Sequence, residues 1–245
     1  VEYRNMDFSK EADEKLLAYL DYNVVVKDKD VLPVDEDNVS NQILINPGES
    51  ALEMSTINLF TFDLVPEQYI IFVNGKNVQG GKESTMEKET EVRNYNVEEL
   101  ITSDIQFSLD IKSASEGDKF VKHGLSVIPY PFRRVSRSKK IHIYYEVYNL
   151  AQRPNGETSY DINYTINVIE PNNTMMQALK TLFPGRKGQA EVSLTDSRSG
   201  TERDAVEHIA FDMENLMPGK AQLRVEILDK VGGKSANRFI DFVIY

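Results

Sequence analysis

The sequence predicts an all-β protein built of antiparallel sheets in two successive domains. Three observations carry this. One hairpin-sized stretch is spelled twice, several segments alternate apolar and polar residues with a period of two, and turn-forming residues separate them at short intervals. The duplicated stretch aligns Leu64–Lys82 with Leu216–Lys234 without a gap, and six of the 19 positions are identical. They are Leu64/Leu216, Pro66/Pro218, Val73/Val225, Gly80/Gly232, Gly81/Gly233 and Lys82/Lys234. Chance at average residue usage gives roughly one or two identities.

In chain order, "SKEADEKLLAYL" is ambiguous. It fits an amphipathic helix capped by Ser9 with Leu16, Leu17 and Leu20 inward, yet "DYNVVVKD" follows in strand style. We read it as strand, because "KLLAYLDY" from Lys15 matches "KIHIYYEV" from Lys140, with tyrosines at 19 and 144 and acids at 21 and 146. "QYIIFV" is the outgoing strand of the first hairpin. "STMEKETEV" returns, polar enough to predict a sheet edge. The first domain is placed at 1–96 and the second at 97–245.

In the second domain "SDIQFSLDI" sets Ile105, Phe107, Leu109 and Ile111 against polar neighbours. "KFVKHGLSVIPYPF" carries two prolines, which predicts an edge or bent strand. "KIHIYYEVYNL" points Ile141, Ile143, Tyr145 and Val147 to one face and His142, Tyr144, Glu146 and Tyr148 to the other. Asn155-Gly156 predicts a tight turn, and "YDINYTINVI" alternates again from Tyr160 to Val168. "NNTMMQALKTLFPGRKG" predicts a short helix through Met175, Leu179 and Leu182, stopped by Pro184-Gly185. "AEVSLTDSRSGT" and "AVEHIAFDM" read as strands around a Ser-Gly turn. Ala221, Leu223, Val225 and Ile227 then alternate before "DKVGGKS" turns the chain into "RFIDFVIY". Strands at this spacing predict two tandem immunoglobulin- or fibronectin-like antiparallel β-sandwich domains.

Composition narrows the roles. The 245 residues are 40% hydrophobic and 27% charged, as in a globular protein. No run reaches the ~18 apolar residues of a membrane-spanning helix. A net charge of −11 argues against nucleic-acid binding. The basic run "FRRVSRSKK", Phe132 to Lys140, reads as a solvated hairpin loop or a docking patch for an acidic partner. Without cysteine there are no disulfides, thiol nucleophiles or thiolate metal sites. The chain begins at Val1 rather than Met, so we expect it to start within a longer product or after processing.

Few residues point to chemistry. His123, His142 and His208 are the only histidines, each in or beside a predicted strand. "GGKES" and "GGKS" resemble the tail of a phosphate loop but lack its leading glycine spacing. Glu146, between Tyr144 and Tyr148 on one strand face, is the acid of most interest for a carboxylate-pair hydrolase. Tyr144 and Tyr148 are also candidate stacking platforms for a sugar. Asp28 and Asp30, and Asp35, Glu36 and Asp37, are oxygen-rich clusters of the kind that hold calcium, without matching an EF-hand.

Five ordered stretches, "SDIQFS", "HGLSVIPYP", "YYEVYNL", "YDINYTI" and "GKAQLRVEILDKVGGKSANRFIDFVI", resemble the C-terminal β-rich region of a group of exported bacterial proteins named for a Gly-Trp-x-Thr-Asp (GWxTD) motif. The resemblance covers about residues 60 to 245. The chain has no tryptophan, so the naming motif is absent. The resemblance implies export to the periplasm, cell surface or medium, and brings no catalytic residues. From the sequence we therefore assign no catalytic, cofactor-binding or metal residues. The expectation is a non-catalytic structural or protein-interaction module of an extracytoplasmic assembly. Its partners are other proteins or further copies of itself, with no nucleic acid and no direct membrane span. A carbohydrate-binding module is the alternative.

Overall fold

The computed structural model describes residues 2–50, 55–171 and 191–245. Among these residues the protein is all-β, with no α-helix and several antiparallel sheets in a sandwich-type arrangement. The helix expected through Met175, Leu179 and Leu182 lies outside the described residues. The chain divides into two compact units, 1–94 and 95–245.

The first unit holds one five-stranded sheet: β1 (Ser9–Lys10), β2 (Leu16–Lys27), β3 (Pro33–Ile45), β4 (Gln68–Asn77) and β5 (Lys82–Glu91). β2 is central, with β3 on one side and β1 and β4 on the other, and β5 closes the far side of β4. The stretch that read as helix or strand is thus strand. Val24 and Val26 supply stiff, β-branched side chains suited to a pleated surface. Ala18, Leu20, Ile43 and Ile45 form a small core with Tyr3 from the N-terminal segment.

The second unit is a sandwich of two sheets. One contains β6 (Ile101–Thr102), β7 (Gln106–Ser113), β8 (Val121–Lys122), β9 (Leu125–Pro129), β11 (Lys140–Tyr148) and β14 (Ala205–Asp212). The other contains β10 (Arg134–Val135), β12 (Thr158–Pro171), β13 (Glu191–Gly200), β15 (Gly219–Asp229) and β16 (Ser235–Ile244). The alternating residues of β11, β12 and β15 meet in one core. Ile143, Tyr145, Ile162, Tyr164, Leu223 and Ile227 are each at most 1% exposed. Burying an aliphatic side chain of this size is worth about 1.5–3 kcal/mol. Tyr145 and Tyr164 satisfy their buried hydroxyls on each other at 2.8 Å. Tyr160 donates to the buried Glu207 at 2.5 Å, with Arg198 3.4 Å from its other oxygen.

The expected alternation fails in one strand. The pairing of β7 with β9 shifts between Ser108 and Asp110, so Ser108 is fully buried and Leu109 turns outward, 47% exposed. A bulge inserts one residue and exchanges the faces beyond it. β13 and β14, expected as neighbours around a turn, lie in different sheets.

The two duplicated stretches are both hairpins, and they share a register. Adding 152 to both members of each β4–β5 pair gives the β15–β16 pairs, so Asn77 opposite Lys82 becomes Asp229 opposite Lys234. Adding 140 to β2 and 152 to β4 likewise converts their pairing into that of β12 with β15. Even the turn bond recurs: Val78 N–H donates to the Tyr19 carbonyl, and Lys230 N–H to the Ser159 carbonyl. The strand equivalent to β2 is therefore β12. The match of "KLLAYLDY" to "KIHIYYEV" misassigned it, because β11 belongs to the other sheet. A lysine, a tyrosine and an acid at strand spacing do not distinguish one half-buried strand from another.

Each hairpin is anchored by a buried Asx residue at the end of its outgoing strand. Asp229 Oδ1 accepts from Val231 N–H at 2.9 Å and Gly232 N–H at 3.0 Å, and Oδ2 accepts from Ala151 N–H at 2.9 Å. Asn77 Oδ1 accepts from Gly80 N–H at 3.3 Å and Asp7 N–H at 3.1 Å, and its Nδ2 donates to the Asp7 carbonyl at 3.1 Å. The paired glycines do different jobs. A Cβ on Gly232 would stand 2.7 Å from Asp229 Oδ2 and 2.9 Å from Ala151 Cβ, so close approach excludes it. Gly233 and Gly81 have φ of 63° and 64°, the left-handed region that glycine enters without cost.

Candidate functional site

The outward face of β11 gathers one cluster of polar groups in the second unit. Alternation sets Tyr144, Glu146 and Tyr148 on that face, and the ladders place Gln106 and His208 opposite Tyr144. The β8–β9 turn brings Lys122 and His123 onto the same face. His123 adopts φ 47° and Gly124 φ 76°, which reverses the chain there.

Glu146 is held from several sides. Its Oε1 accepts the Tyr144 hydroxyl at 2.6 Å and lies 3.4 Å from His123 Nε2, and its Oε2 accepts the Tyr148 hydroxyl. Its own N–H donates to Ser103 Oγ at 2.8 Å. Lys122 Nζ donates to Gln106 Oε1 at 2.8 Å and lies 5.3 Å from the centre of the Tyr144 ring. Burial by itself would raise the Glu146 carboxyl. The hydroxyls of Tyr144 and Tyr148, then His123 and Lys122, outweigh it and hold the group below the ordinary carboxylate range. Burial, and then the bond to Glu146, push both phenols up, and burial pulls the Lys122 ammonium down.

A general base or nucleophile needs a lone pair aimed at its target. Both Glu146 oxygens are instead occupied by phenols and an imidazole. Asp204, whose charge Tyr148 feels, accepts the Asn149 N–H at 3.1 Å. Nor are the two tyrosines open platforms. Tyr144 is buried, and the Tyr148 ring lies 4.8 Å from that of Tyr95.

The histidines do not converge: His142 faces Ser108 and Ala210, His208 faces Tyr144, and His123 sits in its turn. Among the described residues no group of three His, Asp or Glu is placed to hold a metal ion. Asp28 spends Oδ1 on the N–H groups of Asp30 and Leu32, both at 2.9 Å. Asp35 and Asp37 lie opposite Val26 and Val24, and Glu36 opposite Val25, so alternation splits them between two faces.

The sheet edges are a second candidate. Among the described residues β3 pairs only with β2, and β5 only with β4. The side chains of β5 are exposed along nearly its whole length. In the second unit the basic run is more than a solvated loop. Arg134 and Val135 add as a parallel strand to the edge of β16, opposite Val243 and Ile244. Arg134 also lies 5.3 Å from the Tyr245 ring centre. Arginines in a loop-like run gave no sequence signal for this pairing.

No family model matches the chain, and no curated protein matches it.

Proposed function

We propose that the protein is a non-catalytic structural or protein-interaction module of an extracytoplasmic assembly. The observation that supports it most is the pair of long strands, β3 and β5, each with a ladder on one side only among the described residues. Unpaired rows of N–H and C=O groups are ready templates for another chain's strand. The Glu146 cluster fits the same role, since a carboxylate saturated by phenols braces a sheet face. The export implied by the GWxTD-type resemblance supplies the location. The test is the native mass of the protein in its own cells, measured after mild cross-linking of the envelope and medium fractions. The expected result is a defined species heavier than the single chain, whose mass is read from the same fractions after denaturation without cross-linking. A native mass equal to the denatured single-chain mass in every fraction refutes the proposal.

A further inference from the structure

We infer that the open edge of β5 receives an extended basic segment of another protein, running parallel to β5, and that β10 on β16 is the template for the contact. The inference rests on the interaction-module reading and adds the place, direction and chemistry of the partner strand.

The template is inside the chain. β10 lies on β16 in parallel, with Val243 N–H donating to the Arg133 carbonyl at 2.8 Å and Tyr245 N–H to the Val135 carbonyl at 3.0 Å. The Tyr245 carbonyl accepts from Arg137 N–H at 2.9 Å. Odd-numbered residues of β16 thus face its edge. The shared register carries that role to Glu91 of β5, and the two-residue alternation carries it to Glu89, Glu87, Thr85 and Glu83. An independent bond agrees: Val92 N–H donates inward to the Glu67 carbonyl, so even-numbered residues face β4.

Four of these five edge-facing residues are glutamates, and all five side chains are exposed. They share one face of the strand, because side chains alternate. A parallel strand added here sets its alternate side chains within ion-pair reach of that row. Arginine or lysine at every second position complements Glu87, Glu89 and Glu91, while Glu83 already pairs with Lys76 at 3.1 Å; in the template Arg134 stands opposite Val243, the residue equivalent to Glu91. A second copy of β5 is a poor occupant, since it sets glutamates against glutamates. The chain's own basic run is already engaged by β16. A basic strand of a different protein remains.

The experiment uses the full chain and a capped ten-residue peptide of alternating Arg and Thr, with a Glu-Thr peptide as control. Amide hydrogen exchange is read residue by residue. At saturation the amides of Thr85, Glu87 and Glu89 slow by about tenfold or more, while Ser84, Met86 and Lys88, already bonded to β4, do not change. A spin label on the peptide N-terminus broadens Glu83 and leaves Glu91 sharp, as a parallel strand requires. Glu89→Pro removes one edge-facing N–H without touching the β4 ladder, and abolishes the protection. The triple variant Glu87→Gln, Glu89→Gln, Glu91→Gln keeps the backbone and weakens binding about tenfold. Overturning results are unchanged exchange at saturating peptide, equal protection by the Glu-Thr peptide, unchanged affinity in the triple variant, or broadening at Glu91. A heavy native species without edge protection removes this inference alone, whereas a single-chain native mass removes the broader reading.

Discussion

Replacing Asp229 by asparagine tests whether the hairpin anchors are set by hydrogen-bond polarity. Asp229 is fully buried, and every group facing its carboxylate is a donor: the N–H groups of Val231, Gly232 and Ala151. An asparagine keeps two of these bonds through Oδ1 but turns an NH₂ toward Ala151 N–H, a donor facing a donor. Losing one charge-assisted bond and leaving a buried N–H unpaired costs about 2–3 kcal/mol. Asp229→Ala removes all three bonds and costs about 3–5 kcal/mol. Asn77 meets the opposite demand, because it faces both the N–H and the carbonyl of Asp7. Asn77→Asp therefore sets two acceptors together and costs about 1–2 kcal/mol, less because the site is shallower. Urea unfolding followed by circular dichroism measures each loss, and amide exchange at Gly232 and Gly80 locates it. If Asp229→Asn stays within about 0.5 kcal/mol of the parent, the scatter of neutral surface changes, polarity does not select the anchor residue.

Four further outcomes follow from the buried and half-buried polar groups. Tyr145→Phe or Tyr164→Phe strands one buried hydroxyl and costs about 1–2 kcal/mol, whereas the double variant costs less than the sum, as a double-mutant cycle in urea will show. Glu207→Ala leaves the Tyr160 hydroxyl unpaired in the sandwich interior and costs about 2–4 kcal/mol by the same measurement. Glu146 has its carboxyl held below the ordinary value of 4.5, so its charged form stabilises the folded state above that pH and the benefit is lost as pH falls through the lower folded value. The stability gap between the parent and Glu146→Gln should therefore be widest near neutrality and close on acidification, and a gap independent of pH contradicts the tyrosine-held carboxylate. At the alkaline end burial pushes Tyr164 up to about 12, so its stabilising contribution is full below the ordinary 10.0 and lost as pH rises toward 12. Phenolate absorbance should show this group ionising with alkaline unfolding rather than before it.

The sequence by itself determined the class of most long strands, but not of β3 (Pro33–Ile45), whose acidic first half reads as a loop. Period-two alternation in β11, β12 and β15 is a direct consequence of side chains pointing to opposite faces of a pleat, and all three bury the expected residues. The two hairpins were legible because glycine at a left-handed turn and glycine at a close approach admit little else, so the identities survive where the strands between them differ. Much less of the site was readable. Glu146 and its flanking tyrosines stand on one face by alternation, but Lys122 and His123 reach it only through the β8–β9 turn, and no spacing in the chain encodes that. The bulge at Ser108 and the pairing of Arg134 with Val243 were silent for the same reason. A strand's pattern records which face it buries, whereas its neighbours are chosen by backbone groups that every residue carries alike. Only the tertiary structure could show that β12, not β11, is the counterpart of β2, because sheet partnership is a property of pairs distant in sequence.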